Sequence, residues 1–261
     1  MWRLLAIAFL LPCAVGAARA EAVHFASVAV GNVPGGPQIS GWLTKPAGPG
    51  PFPAIVLAHS CAGVSLHTDG WGVRLVKWGY VVLAPDSFNP RGTNAVCTTP
   101  NVVTPNMRVS DVAGALDFLA TRPEVIKGRI GMIGHSHGGA TTLRAVQKSF
   151  DLKARGLRGG VAYYPGCAPS FNAGIDVPVL ILIGDKDDWT SADACRRPKP
   201  DRPELVEIVY YPNAYHSFDA QARDRTVPGA PGKTHHLAYD PMAASDAEER
   251  TQAFFDKLLK R

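Results

Sequence analysis

No block of like charge occurs anywhere in the chain, and its 27 basic and 22 acidic residues are dispersed. That excludes an electrostatic footprint for nucleic acid or an anionic membrane and leaves an ordinary solvated surface. No internal repeat or low-complexity segment is present, so nothing divides the 261 residues into arrayed units. A chain of this length suffices for one large core. No two cysteines are spaced C-x-x-C, which argues against a zinc site. The apolar run from Leu4 to Leu11 is too short for a comfortable membrane span.

What that run does fit is a leader. Met1 to Ala20 combines an early Arg3, the apolar stretch and a small-x-small ending, Ala18-Arg19-Ala20, the three parts of a secretory signal peptide cleaved after Ala20. Cys13 follows Pro12, where lipidation wants a small residue. Export to the periplasm or beyond is therefore expected, with residues 21–261 as one domain and no membrane attachment. Losing Arg3 and Arg19 leaves 27 − 2 = 25 basic residues against 22 acidic ones. Of the five cysteines, Cys61, Cys97, Cys167 and Cys195 remain, an even set in an oxidising compartment. Spacing does not choose among the three pairings. Placement on strand-end loops favours Cys61 with Cys97 and Cys167 with Cys195.

Short apolar runs alternate with helix-periodic segments along the mature chain. Val23 to Val30 and Ile39 to Thr44 read as an antiparallel edge. Ala54 to Ala58, Tyr80 to Ala84, Ile130 to Ile133, Gly160 to Tyr164, Val177 to Gly184 and Leu205 to Tyr211 read as strands, several buried on both faces. Helices are expected over Gly70 to Trp78, Asn106 to Ala120, Gly139 to Ser149 and Asp240 to Leu259, the last with Ala247, Phe254 and Leu258 inward. The long polar loop Pro85 to Pro105 is of a length usually functional or pinned, and Cys97 can pin it. The fold class is α/β, a mostly parallel sheet with helices on both faces, and ligands bind such sheets beyond the carboxyl ends of the strands.

One stretch organises the rest. Arg129 to Thr142 reads strand, sharp turn, helix, with Gly134-His135-Ser136-His137-Gly138 at the turn, the G-x-S-x-G nucleophile elbow. A serine hydroxyl needs a base within reach and a third group to orient that base. Asp187 or Asp188, and then His216, follow in the order serine, acid, histidine, each just beyond a strand.

These residues resemble the dienelactone hydrolase family over nearly all of the mature chain. The matching stretches are Leu57 to Gly63, Gly79 to Asp86, the elbow, Gly184 to Asp187 and Tyr215 to Phe218. The resemblance implies an α/β-hydrolase fold and a catalytic set of Ser136, Asp187 and His216, with Asp188 as the alternative acid. It also implies an oxyanion hole from the amides of Cys61 and His137, and no cofactor. The family's founding enzymes use a cysteine nucleophile, a glutamate after the oxyanion strand and arginines for a substrate carboxylate. Here stand Ser136 and Ser60, Arg91 is a candidate for one arginine role, and Ala220 lies four beyond His216. A serine variant acting on a small carboxylic ester or lactone is the resulting expectation, as a monomer. A non-catalytic binding protein on this scaffold and an acyltransferase are the alternatives.

Other conspicuous residues have plainer readings. His135 and His137 are expected to be structural or pocket-lining rather than metal ligands, and His59 to brace the oxyanion loop. Asp86 and Arg91 read as a loop ion pair. Trp189, Tyr163 and Trp71 are candidates for the acyl wall. His235-His236 reads as structural with a possible lid role, and Arg108 with Asp111 as a surface pair.

Overall fold

A computed structural model describes residues 20–167, 174–222 and 224–261; the expected leader, apart from Ala20, lies outside the described residues. The chain opens with β1 (Glu21–Ala26) and β2 (Gln38–Thr44), paired antiparallel, followed by β3 (Phe52–Ala58) and helix α1 (Leu66–Lys77). Next come β4 (Val81–Asp86), α2 (Pro105–Thr121), β5 (Val125–His135), α3 (His137–Ala145), β6 (Leu157–Tyr163) and β7 (Val179–Gly184). A short α4 (Ala192–Arg196), β8 (Val206–Tyr211), a hairpin of β9 (Arg225–Pro228) and β10 (Thr234–Leu237), and α5 (Pro241–Leu259) complete it. The main sheet has the order β1-β2-β4-β3-β5-β6-β7-β8, parallel from β4 onward.

Two-residue periodicity sorts the strands' side chains into two cores. Ala54, Val56 and Ala58 face one way, with Met132, against α2 and α3. Ile55 and Leu57 face the other way with Ile133, against Trp71 and Leu75 of α1 and Phe255 and Leu259 of α5. The inward residues of α5 are thus Phe255 and Leu259, one position beyond the expected Phe254 and Leu258, which are half-buried. The first turn of α1 begins at Leu66, ahead of the expected Gly70. Its start is set by a capping box between Ser65 and Thr68, while Leu66, 88% exposed, adds nothing to the apolar face. The chain runs from β3 outward to β4 and back past β3 to β5, so strand order reverses at β3 and β5. A crevice opens at their carboxyl ends, where ligands bind such sheets.

The Arg108–Asp111 and Asp86–Arg91 readings need correction. Both Arg108 and Asp111 are about 1% exposed, because the 86–105 loop and the β1–β2 edge fold over α2. Asp111 takes both Nη atoms of Arg91, each at 2.8 Å, and the Ser27 hydroxyl at 2.7 Å. Arg91 also donates to the Ser87 carbonyl at 2.7 Å. Asp86 instead accepts the Phe88 and Asn89 amides, each at 3.0 Å, and stops the chain in a tight turn. Removing Asp111 strands the Arg91 guanidinium in the interior. Asp111→Ala is expected to cost about 3–5 kcal/mol of folding stability, read as a lower denaturant midpoint in urea; a loss below 1 kcal/mol on this scale would mark the pair as surface-like.

Candidate active site

The turn between β5 and α3 holds Ser136 at φ 54° and ψ −110°, a sparsely populated positive-φ conformation that costs a non-glycine residue about 1–3 kcal/mol. Two glycines make room for it. A Cβ on Gly134 would stand 2.1 Å from the Gly138 carbonyl oxygen, and one on Gly138 2.2 Å from that of Ala58. The Ser136 amide donates to the Tyr163 carbonyl at 2.9 Å, tying the turn to β6. Its hydroxyl thereby stands at the crevice.

His216, in the loop after β8, brings Nε2 to 2.9 Å from the Ser136 Oγ. Its Nδ1 lies 2.8 Å from Asp187 Oδ2. Asp187 follows β7, and its carboxylate is itself held by the amides of Trp189 at 2.9 Å and Thr190 at 2.7 Å and by the Thr190 hydroxyl at 2.9 Å. Rings of Tyr164 and Trp189 flank the imidazole, with centroids 4.7 and 5.1 Å away. Asp188 turns elsewhere: its carboxylate accepts the His236 amide at 3.1 Å and its carbonyl lies 3.1 Å from His235 Nδ1. Of the two adjacent acids, Asp187 reaches His216, and Asp188 reaches the hairpin.

Among the described residues neither the Cys61 nor the His137 amide donates to a protein acceptor. The His137 amide opens α3, where first-turn donors are left over by the helix itself. Cys61 is fastened by a disulfide to Cys97 and by its carbonyl, which accepts the Val96 amide at 2.8 Å. Cys167 pairs with Cys195. Below the Cys61 loop, His59 accepts the Ser87 amide at Nε2 (3.2 Å), so Nδ1 carries the proton and donates to the Ser60 carbonyl at 2.8 Å. His137 Nδ1 lies 2.9 Å from Arg108 Nη1 and can only accept from it. Burial, and then the Arg108 charge, push the His59 imidazole well below its ordinary value and that of His137 to about 3. Burial, and then the charge of His67, bring His135 down to about 3 as well.

Two cavities meet at Ser136, one of about 410 Å³ and one of about 180 Å³, and both are bounded by Cys61, Cys97 and Trp189. The larger is roofed by the β9–β10 hairpin through Arg225, Val227, Pro228 and Leu237. Trp189 is in the wall. Tyr163 and Trp71 are not: each is at most 1% exposed, Tyr163 bonded to the Thr251 hydroxyl at 2.8 Å and Trp71 to Asp219 at 2.8 Å. The residue after Tyr163 ends the alternation, and Tyr164, at φ 35°, lines the cavity instead. Arg91 is spent on Asp111 and does not line either cavity. Sequence reasoning missed Tyr164, His67 and the hairpin. The adjacent Thr226 and Val227 before Pro228 and the apolar Leu237 were the only local signs of β9 and β10.

A profile of the dienelactone hydrolase family matches residues 39–259. A protein of Methylorubrum extorquens that bears the name carboxymethylenebutenolidase is 29% identical over 211 residues, 71% of this chain and 69% of that one. Cutinase est1 of Thermobifida alba is 28% identical over 142 residues, 52% of this chain and 43% of its own. Among solved structures, a dienelactone hydrolase from Anabaena variabilis superposes with a TM-score of 0.63 at 21% identity, over 93% of this chain and 99% of that one. At that identity the superposition speaks for the fold, an α/β-hydrolase.

Proposed function

Because the chain belongs to the dienelactone hydrolase family, we propose that it is an exported serine hydrolase that cleaves small carboxylic esters or lactones through an acyl-enzyme on Ser136. The reading is carried by one observation, the unbroken relay from Ser136 Oγ to His216 Nε2 and from Nδ1 to Asp187, at 2.9 and 2.8 Å. His216 takes the Ser136 proton as the oxygen attacks the ester carbonyl carbon. Asp187 fixes the imidazole tautomer and balances its positive charge. The amides of Cys61 and His137 receive the negative oxygen, each donor being worth about 3–4 kcal/mol in the transition state. Collapse expels the alcohol with the proton from His216; water, deprotonated by the same ring, then releases the acid and restores the Ser136 hydroxyl. Two disulfides fit export to an oxidising compartment.

A fluorophosphonate probe is the direct test. It should add one adduct per chain, located by peptide mass spectrometry on Ser136. An unlabelled wild type rejects the reading in favour of a binding protein, and transfer of the acyl group from Ser136 to an added alcohol, forming a new ester in preference to the free acid, favours the acyltransferase.

The hairpin gives the pocket its roof, and Asp188 latches it. His235 also stacks on Trp189 with centroids 4.5 Å apart and planes 9° apart. Hydrogen bonds to a charged acceptor are worth about 1.5–3 kcal/mol, so Asp188→Ala should raise KM by roughly tenfold and leave kcat within a few-fold. Steady-state kinetics on a soluble ester separates the two. A collapse of kcat with KM unchanged would instead make Asp188 the acid of the relay.

A further inference from the structure

The two histidines beside Ser136 do not face each other. His137 meets Arg108 and Phe88, whereas His135 meets two residues remote in sequence, His67 in the first turn of α1 and Asp219 in the loop after β8. We propose that His67, His135 and Asp219 bind a divalent transition metal, with zinc the best match, behind the wall of the larger cavity. Asp219 Oδ2 lies 2.9 Å from His67 Nε2 and 3.7 Å from His135 Nε2, and the three ligand atoms all fall within 4.8 Å of one another. A tetrahedral zinc with bonds of about 2.0–2.2 Å holds its ligands roughly 3.3 Å apart, so side-chain rotations on the order of an ångström close the site.

A second observation points the same way. His135 is about 1% exposed, and its Nε2 has no hydrogen-bond partner. An unpartnered buried polar atom costs about 1–3 kcal/mol, and here it is aimed at a carboxylate.

The surroundings supply what such a site needs. Trp71 Nε1 donates to Asp219 Oδ2 at 2.8 Å and the Tyr164 hydroxyl to Oδ1 at 2.7 Å, orienting the carboxylate from behind. His67 lines the larger cavity with its side chain 25% exposed, which gives the ion a route in and leaves a fourth position for water. Two imidazoles and one carboxylate form a donor set suited to zinc. Without metal, the His67 Nε2 proton bridges to Asp219. Zinc takes the place of that proton, which leaves to solvent, so uptake weakens as the pH falls. The site stands whether or not Ser136 turns over esters.

The test uses the mature full-length protein, stripped with chelator, loaded with zinc and desalted. Wild type should retain one zinc per chain and melt at a higher temperature than the stripped form. His67→Ala should retain none, while the control His24→Ala, at an exposed position of β1, keeps the full amount. Tyr164→Phe, which removes only the hydroxyl on Asp219, should bind at least about tenfold more weakly. Cobalt added to stripped wild type should give the visible absorption of a four-coordinate ion, a readout that needs no variant to fold. Absence of zinc and cobalt binding in wild type, or full zinc retention by His67→Ala, overturns the proposal.

Discussion

Ser136→Ala should lower kcat for a soluble ester by about a millionfold and leave KM almost where it was. The reason is positional: in the proposed mechanism the hydroxyl is the atom that attacks, whereas the cavity walls, Tyr164 and Trp189 and the hairpin, would hold the substrate without it. Asp187→Asn should cost about 10⁴-fold, because an amide in place of the carboxylate lets the imidazole settle in the wrong tautomer. The neighbouring Asp188→Asn keeps its oxygen acceptor for the His236 amide and should cost no more than a few-fold in kcat. The pair is decisive because the two acids are consecutive, so any indirect effect on the loop falls on both. Equal losses in the two variants would break the assignment of Asp187 to His216, and retained turnover in Ser136→Ala would remove the acyl-enzyme altogether.

A second large effect concerns acid, in the protein stripped of metal. His59, His135 and His137 are held neutral in the fold, with values of about 3 for the latter two and well below the ordinary range for His59. In the unfolded chain each titrates near 6.5. Between those limits the unfolded state binds more protons than the native one, so stability rises with pH and is lost as pH falls below about 6.5. Each histidine contributes a slope of about 1.4 kcal/mol per pH unit once its unfolded form is charged. His67 works in the opposite sense. Burial lowers it, but Asp219 raises it more, so its contribution is complete below about 6.5 and fades above its folded value. Asp219 is held low, burial opposing and His67 prevailing, so its contribution is present above about 3.9 and lost only in stronger acid. The sum is a steep descent from neutrality toward pH 4 or so. Urea midpoints measured across that range should fall throughout it, and His137→Gln should flatten the slope. A pH-independent midpoint would mean that these rings protonate without unfolding.

Much of the frame could be read from the chain because it follows from local rules. The apolar pentads Ala54 to Ala58 and Val179 to Ile183 can only be buried strands, and the glycines around Ser136 are demanded by carbonyl contacts a short distance away. The loop residues Asp187 and His216 were legible for a related reason, being pinned to the ends of strands. What escaped depends on contacts between distant segments. Asp111 has helical neighbours that suggest a surface pair, and nothing in α2 reveals that the Arg91 loop closes over it. Tyr163 and Trp189 are alike as aromatic side chains near strand ends, yet one points into the sheet's packing and the other into the crevice. His67, His135 and Asp219 are separated by 68 and 84 positions, and only the meeting of the first turn of α1, the end of β5 and the loop after β8 joins them. The hairpin carries proline, glycine and charge in place of an apolar signature, since most of it is covered by nothing but the pocket it roofs.

The bond between Cys61 and Cys97 closes a loop of 36 residues, and removing such a closure typically releases about 3–4 kcal/mol of chain entropy to the unfolded state. One end of that bond is also the residue whose amide the proposed mechanism assigns to the developing negative charge. A copy with reduced thiols would keep its nucleophile and base but lose the covalent tether on that amide. On the proposed mechanism, full hydrolytic strength would then arrive only with oxidation.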